Sequence, residues 1–275
     1  WDRWTSSNRG GQLLDTTPSS LDGKSDAAIV IGRTFSDPTP GIHFTPIGKG
    51  GTTPESLDVV VNIGAFAGNS PPTCVVNASA TSVATGVLVS FTATASDPNG
   101  DALAHYWDFG DRTFGTNSAA ASKSWTTAGE YAVRCTVSDM KGKTASDTVI
   151  VTVGAVVQYR ISGRILDWLG NPVADVRVHN GIAVGGAGYR AVYTDSDGTY
   201  TIAGLAAGSF NVGAVKPSTT FTPNFTNPVT VGPNASGINF TVPNPGNTPP
   251  TISNIADRST NEDTSTGSVA FTVGD

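Results

Sequence analysis

The stretch HYWDFGD, residues 105–111, decides the fold, because it sets large aromatic residues in a short alternating segment. Successive side chains of a β-strand point to opposite faces, so Trp107 and Phe109 share one face while Asp108 lies on the other. Gly110 can adopt the positive φ that a tight turn requires. The pattern predicts a strand that buries Trp107 and runs into a turn, although a ligand-binding loop uses the same residue types.

Similar alternation extends along the rest of the chain. It recurs in YAVRCTVSD (131–139) and in YRISGRILD (159–167), whereas no window repeats apolar residues at helical spacing. The 275 residues include 32 Gly and 17 Pro, and only 14% are charged, which is typical of many short strands joined by turns. The sequence therefore predicts an all-β chain of tandem sandwiches. Its length allows two or three domains, since one domain takes about 100 to 150 residues.

The segment around the opening stretch resembles a known family. SDPNGDALAHYWDFGD (96–111) and TTAGEYAVRCTVSDMKGKTASDTVIVTV (126–153) are similar to the PKD domain, an immunoglobulin-like β-sandwich common in secreted bacterial enzymes and surface proteins. The resemblance covers residues 69–154, and Lys123 and Trp125 depart from the family pattern before Gly129. It implies that the turn is architectural, with structural roles for Trp107, Phe109, Gly110, Asp111 and Tyr131.

Two cysteines fall within the same segment. Cys74 lies in its first predicted strand and Cys135 in a late strand. A disulfide that ties the first strand to the opposite sheet is reasonable in an exported domain. Two buried free thiols are the alternative, because Cys is common in protein cores. The residues leave both readings open.

Calcium is the one cofactor that the sequence suggests. Ca²⁺ needs several hard oxygen donors on closely spaced loops. The turn at 96–101 supplies three such donors, a neighbouring strand end supplies a fourth, and the resemblance adds two from the preceding linker. The six candidates are Asn69, Ser70, Asp97, Asn99, Asp101 and Asp139. The alternative is a plain turn, in which Asp and Asn side chains bond their own backbone.

A second module is predicted over residues 157–242. The segments YRISGRILDWLGNPVADVRVHNG (159–181) and YTDSDGTYTIAGLAAGSFNVGAVK (193–216) each place a turn between alternating stretches. They resemble the carboxypeptidase regulatory-like domain, a transthyretin-like sandwich that serves as an accessory to secreted enzymes and surface proteins. The residues that carry this resemblance are Gly163, Asp167, Gly170, Pro172, Val173, Val176, Asp195, Asp197, Gly198, Tyr200, Leu205 and Gly208.

The two ends of the chain carry shorter signals. Within residues 1–68, IGRTFSDPTPGIHFTPI (31–47) resembles the β-rich tail that follows the catalytic domain in some gametolysin-like zinc metallopeptidases. Residues 243–275 look like a Pro-rich linker and the first strands of a further immunoglobulin- or cadherin-like repeat. Because the chain begins at Trp1, we expect it to be a segment of a longer protein.

The sequence carries no catalytic motif of the common hydrolases. A zinc peptidase needs His-Glu-x-x-His, but the histidines, His43, His105 and His179, fall in three different predicted modules. Gly-x-Ser-x-Gly and Cys-x-x-Cys are also missing. A net charge of −6 without a basic stripe argues against nucleic acid. The lack of an apolar run near 18 residues argues against membrane insertion, and nothing in the sequence implies an oligomer.

These features predict a non-catalytic segment of a secreted or cell-surface bacterial protein. We expect it to lie C-terminal to a zinc metallopeptidase domain, as a spacer that binds extracellular protein or polysaccharide through loops or sheet faces. The alternative is a segment of a surface adhesin or structural stalk with no attached enzyme. Both use the same kinds of module, so only the metallopeptidase-like stretch at 31–47 favours the first.

Overall fold

The computed structural model of the protein is built from strands. It describes residues 3–4, 13–14, 29–37, 39, 41–155, 158–244, 251–252, 261–265, 268 and 272–274. Within these residues every regular element is a β-strand, as the sequence predicts, and no helix is present that could cross a membrane. Most of the repeat expected at 243–275 lies outside the described residues.

An N-terminal sheet packs against the domain that follows it. The described residues of this part contain the strands β1 (Arg3–Trp4), β2 (Leu13–Leu14), β3 (Phe35–Asp37), β4 (Ile42–Gly50) and β5 (Ser56–Ile63). Strands β3, β4 and β5 form one antiparallel sheet, and β1 pairs with β2. The Thr34 hydroxyl donates to Ser138 Oγ over 2.6 Å, and Asn62 Nδ2 donates to the Met140 carbonyl oxygen over 2.8 Å. These bonds join the sheet to the first sandwich.

The first sandwich contains two packed sheets. Its strands are β6 (Thr73–Ala78), β7 (Ser82–Val83), β8 (Val89–Ser96), β9 (Ala104–Asp108), β10 (Ala120–Lys123), β11 (Gly129–Ser138) and β12 (Thr144–Val153). One sheet has the order β10-β8-β6 and the other β7-β12-β11-β9, in which β7 runs parallel to β12. The inward residues of both sheets form one core, consisting of Val76, Val89, Phe91, Ala93, Trp107, Phe109, Trp125, Val133, Cys135, Val137, Val151 and Val153.

A second sandwich follows with a separate core. Its strands are β13 (Tyr159–Asp167), β14 (Arg177–His179), β15 (Ala191–Tyr193), β16 (Thr199–Leu205), β17 (Gly208–Phe210), β18 (Gly213–Val215), β19 (Thr222–Pro223), β20 (Val229–Val231) and β21 (Phe240–Val242). The sheets have the orders β16-β13-β21-β19, β15-β14-β18 and β17-β20. Ile161, Ile165 and Ile202 are fully buried at the centre.

Two sandwich features depend on close backbone approaches. A Cβ on Gly163 would lie 1.9 Å from the Ile238 carbonyl oxygen, so β13 can approach that segment only with glycine there. The Tyr200 hydroxyl donates to the same carbonyl, which satisfies the one polar atom of a buried ring.

The compact unit that contains both sandwiches ends at Val242. Residues 243–275 form a separate unit, with strands β22 (Thr251–Ile252) and β23 (Val273–Gly274).

Candidate functional site

The turn after β9 is tied into the first sandwich. Trp107 is fully buried, and its Nε1 donates to the Ser118 carbonyl oxygen over 2.8 Å. Gly110 has a φ of +76°, and a Cβ there would lie 2.8 Å from the Ala132 carbonyl oxygen, so a larger residue would be strained. Both residues therefore stabilise the sandwich itself.

Asp111 and the nearby aromatic residues close the same end. Asp111 Oδ1 accepts from the Thr113 amide over 3.1 Å, and Oδ2 lies 2.8 Å from Lys123 Nζ. Burial acts to raise the pKa of Asp111, but the bonds from Lys123 and Thr113 outweigh it and hold the pKa below its ordinary value. The Tyr131 ring stacks on Trp125 with a centroid separation of 4.9 Å. Phe109 is buried in the core beside them.

The structure brings all six candidate calcium donors to one end of the first sandwich. Asp97, Asp101 and Asp139 each offer one carboxylate oxygen, and these three atoms lie within 4.8 Å of one another. Calcium binds oxygen at about 2.3–2.6 Å, so the spacing suits one ion among the three. The remaining candidates, Asn69, Ser70 and Asn99, are hydrogen-bonded to or within this group.

Two hydrogen bonds attach the linker residues Asn69 and Ser70 to the other candidate donors. Asn69 Nδ2 donates to Asp139 Oδ2 over 2.6 Å, and the Ser70 amide donates to Asn99 Oδ1 over 2.8 Å. Asp97 Oδ1 accepts from the amide of Asn99, as expected of a plain turn. The backbone of the turn therefore satisfies Asp97 Oδ1.

Two carboxylate oxygens of the cluster have no donor among the described residues. Asp97 Oδ2 and Asp101 Oδ2 are buried without a hydrogen bond. A buried polar atom left in this state costs about 1–3 kcal/mol, and more when it is charged. A hard cation would satisfy both oxygens, so the donor set fits calcium. The Lys141 ammonium contacts Asp101 Oδ1, and an ion would compete with it for that carboxylate.

Cys74 and Cys135 face each other across the core of the first sandwich, and both are free thiols. Cys74 Sγ donates to the Cys135 carbonyl oxygen over 3.8 Å. Contact with the Cys74 side chain, together with burial, raises the pKa of Cys135. The structure thus shows the thiol alternative, with the two residues in contact.

An ionic joint connects the two sandwiches. Arg134 on β11 donates from Nη2 to Asp175 Oδ1 over 2.9 Å and from Nε to Asp195 Oδ1 over 3.1 Å. Burial raises the pKa of Asp195, even though Arg134 acts to lower it. Nearby, Arg160 Nε donates to Glu130 Oε1 over 2.9 Å. These pairs bridge a short connection between β12 and β13.

Sequence reasoning missed the ionic joint. Arg134 belongs to the outward face of β11, and its partners lie 41 and 61 residues further along the chain. Alternation along YAVRCTVSD identifies that outward face, but it does not say what covers it. An isolated Arg between buried residues was the one available signal.

Comparison with known proteins identifies part of the chain. Residues 69–153 match the family model described as the PKD domain. The chain is similar to the PKD domain of an M14-like peptidase from Thermoplasmatales archaeon SCGC AB-540-F20, with 26% identity over 32% of this chain and 99% of that one, and a TM-score of 0.30. The chain is also 29% identical to the PKD1 domain of the Vibrio cholerae metalloprotease PrtV, over 31% of this chain and 100% of that one, with a TM-score of 0.28. It is 31% identical to the PKD1 domain of Vibrio anguillarum Epp, over 32% of this chain and 99% of that one, with a TM-score of 0.28. No curated protein matches the chain.

Proposed function

Since residues 69–153 are a PKD domain, we propose that the chain is a non-catalytic accessory segment of a secreted or cell-surface protein. Its sandwiches would act as a spacer and as modules that bind extracellular protein or polysaccharide. The second sandwich would be a carboxypeptidase regulatory-like domain, and the segment would follow a zinc metallopeptidase domain. The stretch at 31–47, which resembles the tail of such peptidases, supports the last step.

The ionic joint is the observation that carries the spacer role. A spacer keeps its neighbours at a fixed distance only if its modules do not swing freely. Arg134 is held by carboxylates of the second sandwich, and Gln158 Oε1 accepts from the Glu130 amide over 2.9 Å. Charged pairs in a partly buried interface lose strength when their geometry changes, so they resist rotation of one sandwich against the other.

Small-angle X-ray scattering from the full chain tests the spacer role. Because the side chains of Arg134 and Asp195 are largely buried, salt screens their pair little. We expect the radius of gyration and maximum dimension to stay constant from low to high salt. A maximum dimension that grows with salt, with a profile typical of flexible tethering, would contradict the proposal.

The coding sequence upstream of Trp1 tests the association with a peptidase. A His-Glu-x-x-His with a third ligand nearby would support it, because this arrangement holds a catalytic zinc ion. Further β-modules in that place would instead favour an adhesive or structural stalk. Peptide hydrolysis by the purified segment would contradict the non-catalytic assignment.

We also propose that the cluster of Asp97, Asp101 and Asp139 binds calcium. A ligand that binds only the folded state stabilises it by about 2.7 kcal/mol at a hundredfold excess over Kd, so millimolar Ca²⁺ should raise the Tm by several degrees. Asp139→Asn should remove this shift, whereas Asp58→Asn, at an exposed position, should keep it. Lys141→Met should enlarge it, because the competing ammonium is gone. An unchanged Tm in the parent protein would show that the site does not bind calcium.

A further inference from the structure

A groove runs between the two sandwiches along the outward face of β11. Its volume is about 370 Å³, within the range of ligand sites. The floor consists of alternate residues from Glu130 to Ser138, with the second sandwich on one side and residues 32–34 on the other. At about 3.3 Å per residue these positions span roughly 26 Å. The lining therefore extends along β11, and a ligand that contacts all of it must be elongated.

Two arginines on opposite sides of the groove have unused hydrogen-bond donors. Arg33 lies with its Cζ 6.0 Å from the centroid of the Tyr106 ring, and it makes no ion pair with any described residue. Arg190 donates from Nη1 to the Tyr189 carbonyl oxygen and has no carboxylate partner in the described part of the chain. Arg134, between them, is already satisfied by two carboxylates. A planar guanidinium without a partner in a groove is suited to bind a carboxylate through two parallel bonds.

The rest of the lining favours a ligand with hydroxyl groups. Thr136, Thr144 and Thr148 line the groove. The Thr136 hydroxyl accepts from Arg134 and can still donate, and the Thr148 hydroxyl donates to Asp195 and can still accept. Asp108 also lines it and makes no ion pair among the described residues, so its carboxylate can accept from a ligand hydroxyl. An acidic peptide such as polyglutamate carries carboxylates without hydroxyl groups, so it would engage the arginines but offer no hydroxyl to Asp108 or to the threonines.

We propose that this groove binds a linear polysaccharide in which some sugars carry a carboxylate. Arg33 and Arg190 take the carboxylates, and the hydroxyl-lined floor takes the sugar hydroxyls. This inference rests on the proposed role as a binding module, and it gives that role a ligand class and a place. It is independent of the calcium cluster and of any peptidase in the parent protein.

The test is titration calorimetry on the full chain with trigalacturonate as the probe. A neutral trisaccharide, maltotriose, and an acidic peptide, hexaglutamate, are the matched comparisons. We expect saturable binding of trigalacturonate and at least tenfold weaker binding of the other two. One charge-assisted bond is worth about a factor of ten or more. Arg33→Gln and Arg190→Gln should therefore each weaken binding about tenfold with little change in Tm, whereas Arg164→Gln, at an exposed position outside the groove, should not.

Each other outcome overturns the inference in a distinct way. Equal binding of maltotriose would remove the role of the arginines, and preferred binding of hexaglutamate would assign the groove to peptide. No binding of trigalacturonate, or binding that both Arg33→Gln and Arg190→Gln leave unchanged, would rule out this site. If the radius of gyration and maximum dimension of the chain stay constant with salt while trigalacturonate does not bind, the spacer role stands and only the binding role fails. Failure of this inference can therefore be distinguished from failure of the spacer role.

Discussion

At the scale of single residues, Asp108 shows how a strand serves two surfaces. Its neighbour Trp107 fills the core, while Asp108 itself lines the groove and accepts from the Gly110 amide over 2.8 Å. Burial is the main cause that raises the pKa of Asp108; the amide of Gly110 and the nearby Arg134 act against it without cancelling it. The ionised form is therefore disfavoured in the folded protein relative to the unfolded chain.

The consequence is a pH dependence of defined sign. A carboxyl whose pKa is higher in the folded state binds more protons there, so its contribution to stability falls as the pH rises through that pKa. We expect Asp108→Asn, which keeps the acceptor for Gly110, to be more stable than the parent at pH 7. The advantage should shrink as the pH is lowered toward 4. Urea unfolding of both proteins across this range measures it, and an advantage that grows on acidification would contradict the assignment.

At the scale of strands, the sequence predicts the inward faces well and the outward faces poorly. In β11 the alternation correctly marks Val133, Cys135 and Val137 as core, since burial on one face imposes a period of two. It cannot assign Arg134 a partner, because that depends on which module packs against the outward face. The acidic cluster was predictable because local turn chemistry and the family pattern name its members. Lys141 was not, because its contact with Asp101 spans 40 residues.

Strands β6 and β11 also carry the two thiols, and this position permits a covalent link between opposite sheets. A mild oxidant such as oxidised glutathione should join Cys74 to Cys135, with the loss of two hydrogens by mass. Closing a loop whose ends are 61 residues apart should stabilise the fold by about 4 kcal/mol in the chain-entropy estimate. The Tm should rise accordingly and fall again with a reductant.

The thiol pair has a simple control. Cys74→Ser removes one partner from a half-buried position, so its Tm should not respond to oxidant or reductant. An unchanged intact mass of the parent protein after oxidation would show that the side chains cannot reach the bonded geometry, which requires Cβ atoms about 3.8 Å apart.

At the scale of the whole molecule, the ionic joint predicts that the sandwiches unfold together. Arg134→Ala leaves Asp195, only 7% exposed, without its cation, and breaking a buried pair in this way costs about 3–5 kcal/mol. Differential scanning calorimetry should show one coupled transition for the parent protein and two separate transitions for Arg134→Ala. Arg164→Ala, at an exposed position, should behave like the parent. Two transitions in the parent protein would mean that the joint does not couple the modules.

The pairing of terminal strands has a mechanical consequence for a chain that is pulled from its ends. In the second sandwich the first strand, β13, pairs in parallel with the last, β21, from Ile165 beside Phe240 to Asp167 beside Val242. Tension applied at the two ends therefore drags these strands past each other in opposite directions. Their hydrogen bonds share the load and must break together, rather than one after another. The second sandwich is thus built to remain folded under a stretching force.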